Sequence, residues 1–247
     1  MKTIAERIKT PHNKAVISLL DAELVGEDSK SAAMRFANVG YWKGVEDGWE
    51  LASIKLMEIL VGFLSERNGS VLDVACGTGA TTKFLSKYFD PGKIIGINIS
   101  EAQLKVCERF VPECKFKLMD ATQLEFDDST FDNVLCVESA PNFDTRQKFL
   151  EEVHRVLKVG GKVAMSDWLF DRDDFLNEVH PKENYLPDLT AYEELLTKIG
   201  FRDVRIEDIT EHSVCVVDKF LSKRPGYPDP RWEAMRTGRY CLVYAVK

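Results

Sequence analysis

Between Ser70 and Trp168 short apolar runs alternate with segments of helical spacing, and this alternation constrains the fold more than any other feature of the 247 residues. "SVLDVAC" reads as a first strand and "TTKFLSKYF" as the helix after it. "KIIGINIS" is a second strand, followed by the helical "EAQLKVCERFV", which stops near Pro112. "CKFKLMDA" and "FDNVLCVES" read as strands three and four. "TRQKFLEEVHRVLK" places Phe149, Val153, Val156 and Leu157 at helical spacing, "VGG" stops it, and "KVAMSDW" is strand five. "FRDVRIEDIT" and "RYCLVYAVK" bring the strand count to seven. Strands separated by helices of this length need right-handed crossovers, which give a mostly parallel sheet covered on both faces. The predicted fold is α/β: a doubly wound, mostly parallel seven-stranded sheet, Rossmann-like, with ligands bound beyond the carboxyl ends of the strands.

The flanks read differently. Residues 1–60 look helical and contain the aromatic break "NVGYWKGVEDGW", while residues 169–238 carry an acidic stretch, a helix ended by Gly200 and turn-rich elements interleaved with the last strands. Both flanks are expected to cap the open end of the sheet, so residues 1–247 are taken as one domain with a 70–168 core. With 45% hydrophobic residues the chain can bury a substantial core. A net charge of −7 argues against a nucleic-acid footprint. The charged start lacks the apolar centre of a signal peptide, and no apolar run reaches the roughly 20 residues of a membrane span. Six scattered cysteines with no C-x-x-C pair suggest buried thiols in a reducing compartment, so a cytoplasmic location is expected. The same spacing offers no metal site. A homodimer is left open.

The turn between the first strand and its helix is "VACGTGA". Gly77 and Gly79 let the backbone turn sharply and approach a ligand closely, and the helix beginning near Ala80 presents free N–H groups. A dinucleotide fingerprint would place a third glycine where Thr82 stands, so that match is incomplete.

The longer run "DVACGTG", with Asp73, Ala75, Gly77, Thr78 and Gly79, resembles the first motif of class I S-adenosylmethionine-dependent methyltransferases. The resemblance continues through "GINIS", "LMDATQLEFDDSTFDNVLCVES" and "FLEEVHRVLKVGGKVAMSDW", and covers roughly Tyr41 to Lys247. It points to the small-molecule branch, similar to quinone and natural-product O-methyltransferases. The resemblance implies that S-adenosyl-L-methionine is the methyl donor and S-adenosyl-L-homocysteine the product. Loop N–H groups would face its carboxylate while Asp73 holds its ammonium; the bland reading of Asp73 is a loop cap. Most family members end the second strand with an acid that accepts both ribose hydroxyls, but here the residue is Asn98. Asn98 and Ile99 with Gln103 five residues on resemble the ribose site of one family branch, unless Gln103 merely lies on an exposed helical face. Asp120 and the Ala121 N–H would read the adenine, or Asp120 caps a turn. "NVGYW" nominates Tyr41 as an aromatic over the cofactor, or as a staple between cap and core.

Methyl transfer from a sulfonium is an in-line displacement, so the protein supplies alignment, a dry pocket and, for a nucleophile of high pKa, a base. Related enzymes often carry a His shortly after the position of Glu138; here "SAPNF" has none. Asp167 becomes the first choice for base or orienter, with Glu138 or the cap residue His180 assisting, and Asn142 and Trp168 expected to touch the acceptor. His154, in the amphipathic helix, is expected to be solvated. The expected acceptor is a small organic hydroxyl (phenol, enol or sugar), with nitrogen and carbon acceptors open. A nicotinamide-dependent oxidoreductase and a non-catalytic binding protein on the same scaffold are the other classes. Calorimetric titration with S-adenosyl-L-methionine, S-adenosyl-L-homocysteine and NAD(H) separates them: the first two bind, Asp73→Ala abolishes that binding, and NAD(H) gives no heat.

Overall fold

A computed structural model describes residues 10–22, 36–44, 48–64, 68–170, 180–223, 227 and 230–247. Its sheet has the order β3-β2-β1-β4-β5-β7-β6. The strands are β1 (Val71–Val74), β2 (Ile94–Asn98), β3 (Lys115–Leu118), β4 (Phe131–Val137), β5 (Leu157–Leu169), β6 (Arg202–Asp208) and β7 (Arg239–Val246). The first five pair in parallel, and β7 runs antiparallel between β5 and β6. The chain starts at β1, steps outward through β2 to β3, then returns across β1 to β4. That reversal opens a crevice at the carboxyl ends of β1 and β4, where Val74 lies in register with Cys136.

The helices are α1 (Pro11–Ala22), α2 (Trp49–Phe63), α3 (Ala80–Leu85), α4 (Glu101–Phe110), α5 (Arg146–Val156), α6 (Leu189–Ile199), α7 (Val214–Leu221) and α8 (Pro230–Met235). Sequence chemistry fixes several ends. Ser100 caps α4 by accepting from the Gln103 N–H, Thr145 caps α5 through the Lys148 N–H, and Asp188 caps α6 through the Ala191 N–H. Gly200 closes α6 at φ 115°, a left-handed conformation that favours glycine.

Period-two alternation sends neighbouring strand residues to opposite faces. Val71, Leu135, Ala164 and Leu242 pack with Leu56, Met57 and Leu60 of α2 and Leu85 of α3. Leu72, Val134, Val163 and Val243 pack on the other side with Phe149, Leu150 and Val153 of α5 and Leu196 of α6. The central strands are thus apolar on both faces, as a doubly wound sheet requires.

Two local expectations change, those for "VGG" and for His154. "VGG" does not lie between helix and strand: α5 ends at Val156 and β5 starts at Leu157, which pairs with Phe131 before the register slips at Asn133. The slip is a bulge held by the chain end, since Lys247 O accepts from the Gly160 N–H at 2.8 Å and the Lys247 N–H donates to Gly161 O at 3.0 Å. Residues 36–44 are not helical. Gly40 sits at φ 76° with its missing Cβ site 2.8 Å from Ala52, so this stretch lies directly on α2. His154 is half-buried rather than solvated, its ring edge-on to Phe201 at 5.0 Å. The helical readings of residues 1–9 and 23–35, and the acidic cap run 171–179, lie outside the described residues.

Among the described residues no helix is long and apolar enough to cross a membrane. Phe149 is fully buried between α5 and the sheet, so Phe149→Ala is expected to lower stability by about 3–5 kcal/mol in urea unfolding, the cost of emptying an aromatic site in a core.

Candidate active site

The crevice at the ends of β1 and β4 is built from loops whose geometry the strands dictate. After β1 the backbone enters left-handed conformations at Ala75 (φ 56°), Gly77 (57°) and Gly79 (95°). The two glycines differ in what they make possible. A Cβ on Gly79 would stand 3.2 Å from Cys107 Sγ and 3.3 Å from Val111, so this glycine lets α3 pack tightly on α4. A Cβ on Gly77 would meet no heavy atom within 4 Å: its cradle is open. Thr78, between them, is half-buried.

Asp73 lies inside β1 and is 1% exposed. Its Oδ2 accepts from Thr82 Oγ1 at 2.6 Å and Thr81 Oγ1 at 2.7 Å, which ties the start of α3 to the strand. Burial pushes its pKa to about 6, with the two hydroxyl bonds pulling the other way. Thr82, which spoils a dinucleotide fingerprint, is therefore one of two hydroxyls satisfying a buried carboxylate. The adjacent threonines in "GATTK" were the available signal.

Beyond β2 and β3 the nominated residues come together. Asn98 and Gln103 are both 4% exposed, and Asn98 Nδ2 donates to Gln103 Oε1 at 2.7 Å and to Gly77 O at 3.2 Å. Gln103 thus faces the glycine loop, not solvent. Ile99 follows, half-buried. Asp120 Oδ1 accepts from the Thr122 N–H and hydroxyl, the turn cap of its bland reading, while Oδ2 accepts from Asn13 Nδ2 at 3.0 Å. Ala121 is buried beside it. Helix α1 supplies that Asn13; its His12 Nε2 also donates to Asn142 O at 2.8 Å, and its Asp21 accepts from the Ser100 hydroxyl at 2.6 Å. One helix therefore clasps the loops after β2, β3 and β4.

Glu138 follows β4 in a left-handed conformation, φ 54°, and is half-buried. Its Oε1 accepts from the Val39 N–H at 2.6 Å and from the Tyr240 hydroxyl, and Oε2 lies 3.4 Å from Trp168 Nε1. Burial pushes the carboxyl up to about 7, against the lowering effect of the Tyr240, Val39 and Trp168 donors. Tyr240 and Val39 were not foreseen. Tyr240 reaches the site because it pairs with Trp168 across β5 and β7, a register that no local pattern encodes.

Asp167, expected as base or orienter, lies inside the fold. It is fully buried, and Oδ2 accepts from Arg146 Nε at 3.2 Å and the Tyr192 hydroxyl at 2.7 Å while Oδ1 accepts from the Trp168 N–H at 2.8 Å. Both oxygens are spoken for and neither meets solvent, an arrangement that suits the orienter of the two roles expected for Asp167. Arg146 extends the anchor, donating to Trp168 O at 3.0 Å and to Asn184 O. The Asn184 side chain in turn holds Pro141 O and Phe143 O at 2.8 and 2.7 Å, which fixes the loop bearing Asn142. Trp168 is itself interior, 2% exposed, and stacks on Phe170. His180 packs on Phe170 at 4.9 Å, one aromatic layer away from Trp168. The Tyr41 ring stacks on His212 at 4.8 Å, and its N–H donates to Ala52 O at 2.8 Å.

A family model described as a methyltransferase domain matches residues 72–165, from β1 through most of β5. An O-methyltransferase of Pyrenophora dematioidea is 30% identical over 203 residues, covering 74% of this chain and 76% of that protein. The erythromycin 3''-O-methyltransferase of Saccharopolyspora erythraea is 28% identical over 214 residues, 77% of this chain and 70% of the relative. Among solved structures, the geranyl diphosphate C-methyltransferase of Streptomyces coelicolor superposes with a TM-score of 0.77 at 15% identity, covering 96% of this chain and 98% of that one. The chain belongs to the class I S-adenosylmethionine-dependent methyltransferases of the small-molecule type. It is an enzyme of that family, whose methyl donor is S-adenosyl-L-methionine and whose product is S-adenosyl-L-homocysteine.

The raised carboxyl of Glu138 has a stability consequence. Between its ordinary pKa near 4.5 and about 7 the folded state holds a proton that the unfolded state has lost, so this group's contribution falls as pH rises through that window. Glu138→Gln removes the dependence. The variant is expected to match wild type in thermal melting near pH 4.5 and to melt progressively higher than wild type towards pH 8.

Proposed function

We propose that the enzyme methylates a hydroxyl of a small, largely apolar organic molecule, with Glu138 taking the proton. The observation that carries this reading is a half-buried carboxylate at the switch point, its pKa moved to about 7 by burial. A base poised near the working pH is the form general-base catalysis needs. Two relatives that cover most of this chain are O-methyltransferases. Bound S-adenosyl-L-methionine would supply an electrophilic methyl group on a sulfonium, so the chain need only align the acceptor and receive its proton.

The residues fit that cofactor. Gly77 leaves an open cradle at the end of β1, and Ala75, Gly77, Thr78 and Gly79 would hold the amino-acid end there. Asn98, Ile99 and Gln103 are assigned to the ribose, and Asp120 and Ala121 to the adenine. Asp73 is assigned to shaping the loop through Thr81 and Thr82, reaching the ammonium only through water. Tyr41 and His212 close the site from the cap side. Trp168 and Tyr240 donate to Glu138 and orient it from the interior. Asp167 and Arg146 hold the loop with Asn142 in place. His180 serves as cap packing, one layer out.

Residues 1–247 are read as one domain, with α1 as the lid over the cofactor side and residues 169–238 as the cap over the acceptor. A cytoplasmic location suits the six free thiols, five of them buried.

The test is a screen of phenols, enols, hydroquinones and deoxysugars for S-adenosyl-L-homocysteine release, with the product's methylated atom located by NMR. With the acceptor found, Glu138→Gln is expected to lower kcat by about 10²–10⁴-fold with little change in S-adenosyl-L-homocysteine affinity. A methyl group on carbon or nitrogen, or a variant of undiminished kcat, would remove the hydroxyl reading.

A further inference from the structure

The extended segment between the lid and α2 contains a side chain with nothing to hold. Asn38 is 2% exposed, and among the described residues neither its Oδ1 nor its Nδ2 has a hydrogen-bond partner. A buried amide left in this state forfeits its bonds to water and gains none in return, which native structures avoid. Such an orphan marks a place where something else completes the bonding.

Its neighbours say where that place is. Two residues before it, Phe36 packs edge-on against Phe84 of α3 with ring centroids 6.2 Å apart, so the segment starts at the helix that follows the glycine loop. One residue after it, the Val39 N–H donates to Glu138 beyond β4. Strands β1 and β4 are adjacent, with Val74 opposite Cys136. Asn38 therefore lies on the stretch that crosses the ends of β1 and β4, between the open cradle of Gly77 and the carboxylate of Glu138.

We propose that the Asn38 carboxamide binds the amino-acid end of the methyl donor, its Nδ2 donating to the carboxylate and its Oδ1 accepting from the ammonium. The chemistry of the orphan matches this ligand on both sides. A carboxamide offers one donor group and one acceptor, both free here, and a zwitterionic amino acid needs one of each. The carboxylate nearest the loop, Asp73, has its Oδ2 taken by the hydroxyls of Thr81 and Thr82. The assignment rests on the methyltransferase reading of the site and adds a residue to it.

The test uses two probes that differ only at the end in question: S-adenosyl-L-homocysteine, and methylthioadenosine, which keeps the adenosine and the thioether but has no amino acid. Wild type, Asn38→Leu and Asn38→Ala are titrated with both by calorimetry, and the ligand-free proteins are melted. Asn38→Leu is expected to lose about tenfold or more in affinity for S-adenosyl-L-homocysteine and to keep methylthioadenosine within about twofold, since only the first ligand meets the amide. Its ligand-free melting temperature is expected to equal or exceed that of wild type, because an apolar side chain of similar size has no unmet bonds. Unchanged affinity for S-adenosyl-L-homocysteine, or an equal loss for both ligands, would overturn the assignment. Should leucine prevent folding, the alanine variant decides by the same ratio. Failure of wild type to bind S-adenosyl-L-homocysteine at all would be a different result, removing the cofactor site itself.

Discussion

The buried pair of Arg146 and Asp167 holds together parts of the chain that no secondary-structure rule would join. Asp167 closes β5, Arg146 opens α5, Tyr192 comes from α6 and Asn184 from the cap turn before it, and all four meet in one hydrogen-bonded cluster. The attraction of Asp167 counters the cost of burying the guanidinium, and its two other donors satisfy the remaining carboxylate lone pairs. Removing one member of such a pair typically costs about 3–5 kcal/mol, whereas replacing both by apolar side chains is often harmless. What the pair supplies here is therefore position more than stability. Through Asn184 it sets the loop after β4, and so the approach to Glu138.

Three carboxylates near strand ends have been given two kinds of environment. Asp73 and Glu138 are desolvated next to neutral donors, which leaves their proton affinity raised. Asp167, fully buried, has a cation against it. Residue type alone does not distinguish them; the neighbours brought by other strands do. A neutral shell of tyrosine, tryptophan and peptide N–H orients Glu138 without taking its proton, as the proposed role of base requires.

That division also explains what could be read from the sequence and what could not. The seven strands, the switch point and the glycine turn follow from local patterns of period-two alternation and of glycines where the backbone must turn left-handed, whereas Asn98 and Gln103 are nominated by family resemblance and their mutual bond appears only in the structure. Choosing between Asp167 and Glu138 needed Arg146, 21 residues before the first, and Tyr240, 102 residues after the second. Such partners become neighbours only through sheet pairing and helix docking. The bulge at Gly160 was similarly invisible, since the group that holds it is the last residue of the chain.

Helix α1 makes three bonds to the rim of the crevice, through His12, Asn13 and Asp21. At about 1 kcal/mol each, together they favour the closed rim by roughly 3 kcal/mol, so an open rim would be populated about once in a hundred or two. A ligand that enters only through the open form binds more slowly by that fraction, and one that must hold the rim open also loses it in apparent affinity. Asp120 adds a further twist, because the oxygen that receives Asn13 belongs to the carboxylate assigned to the adenine. Loading the donor and releasing the spent one would then both require the same small helix to move.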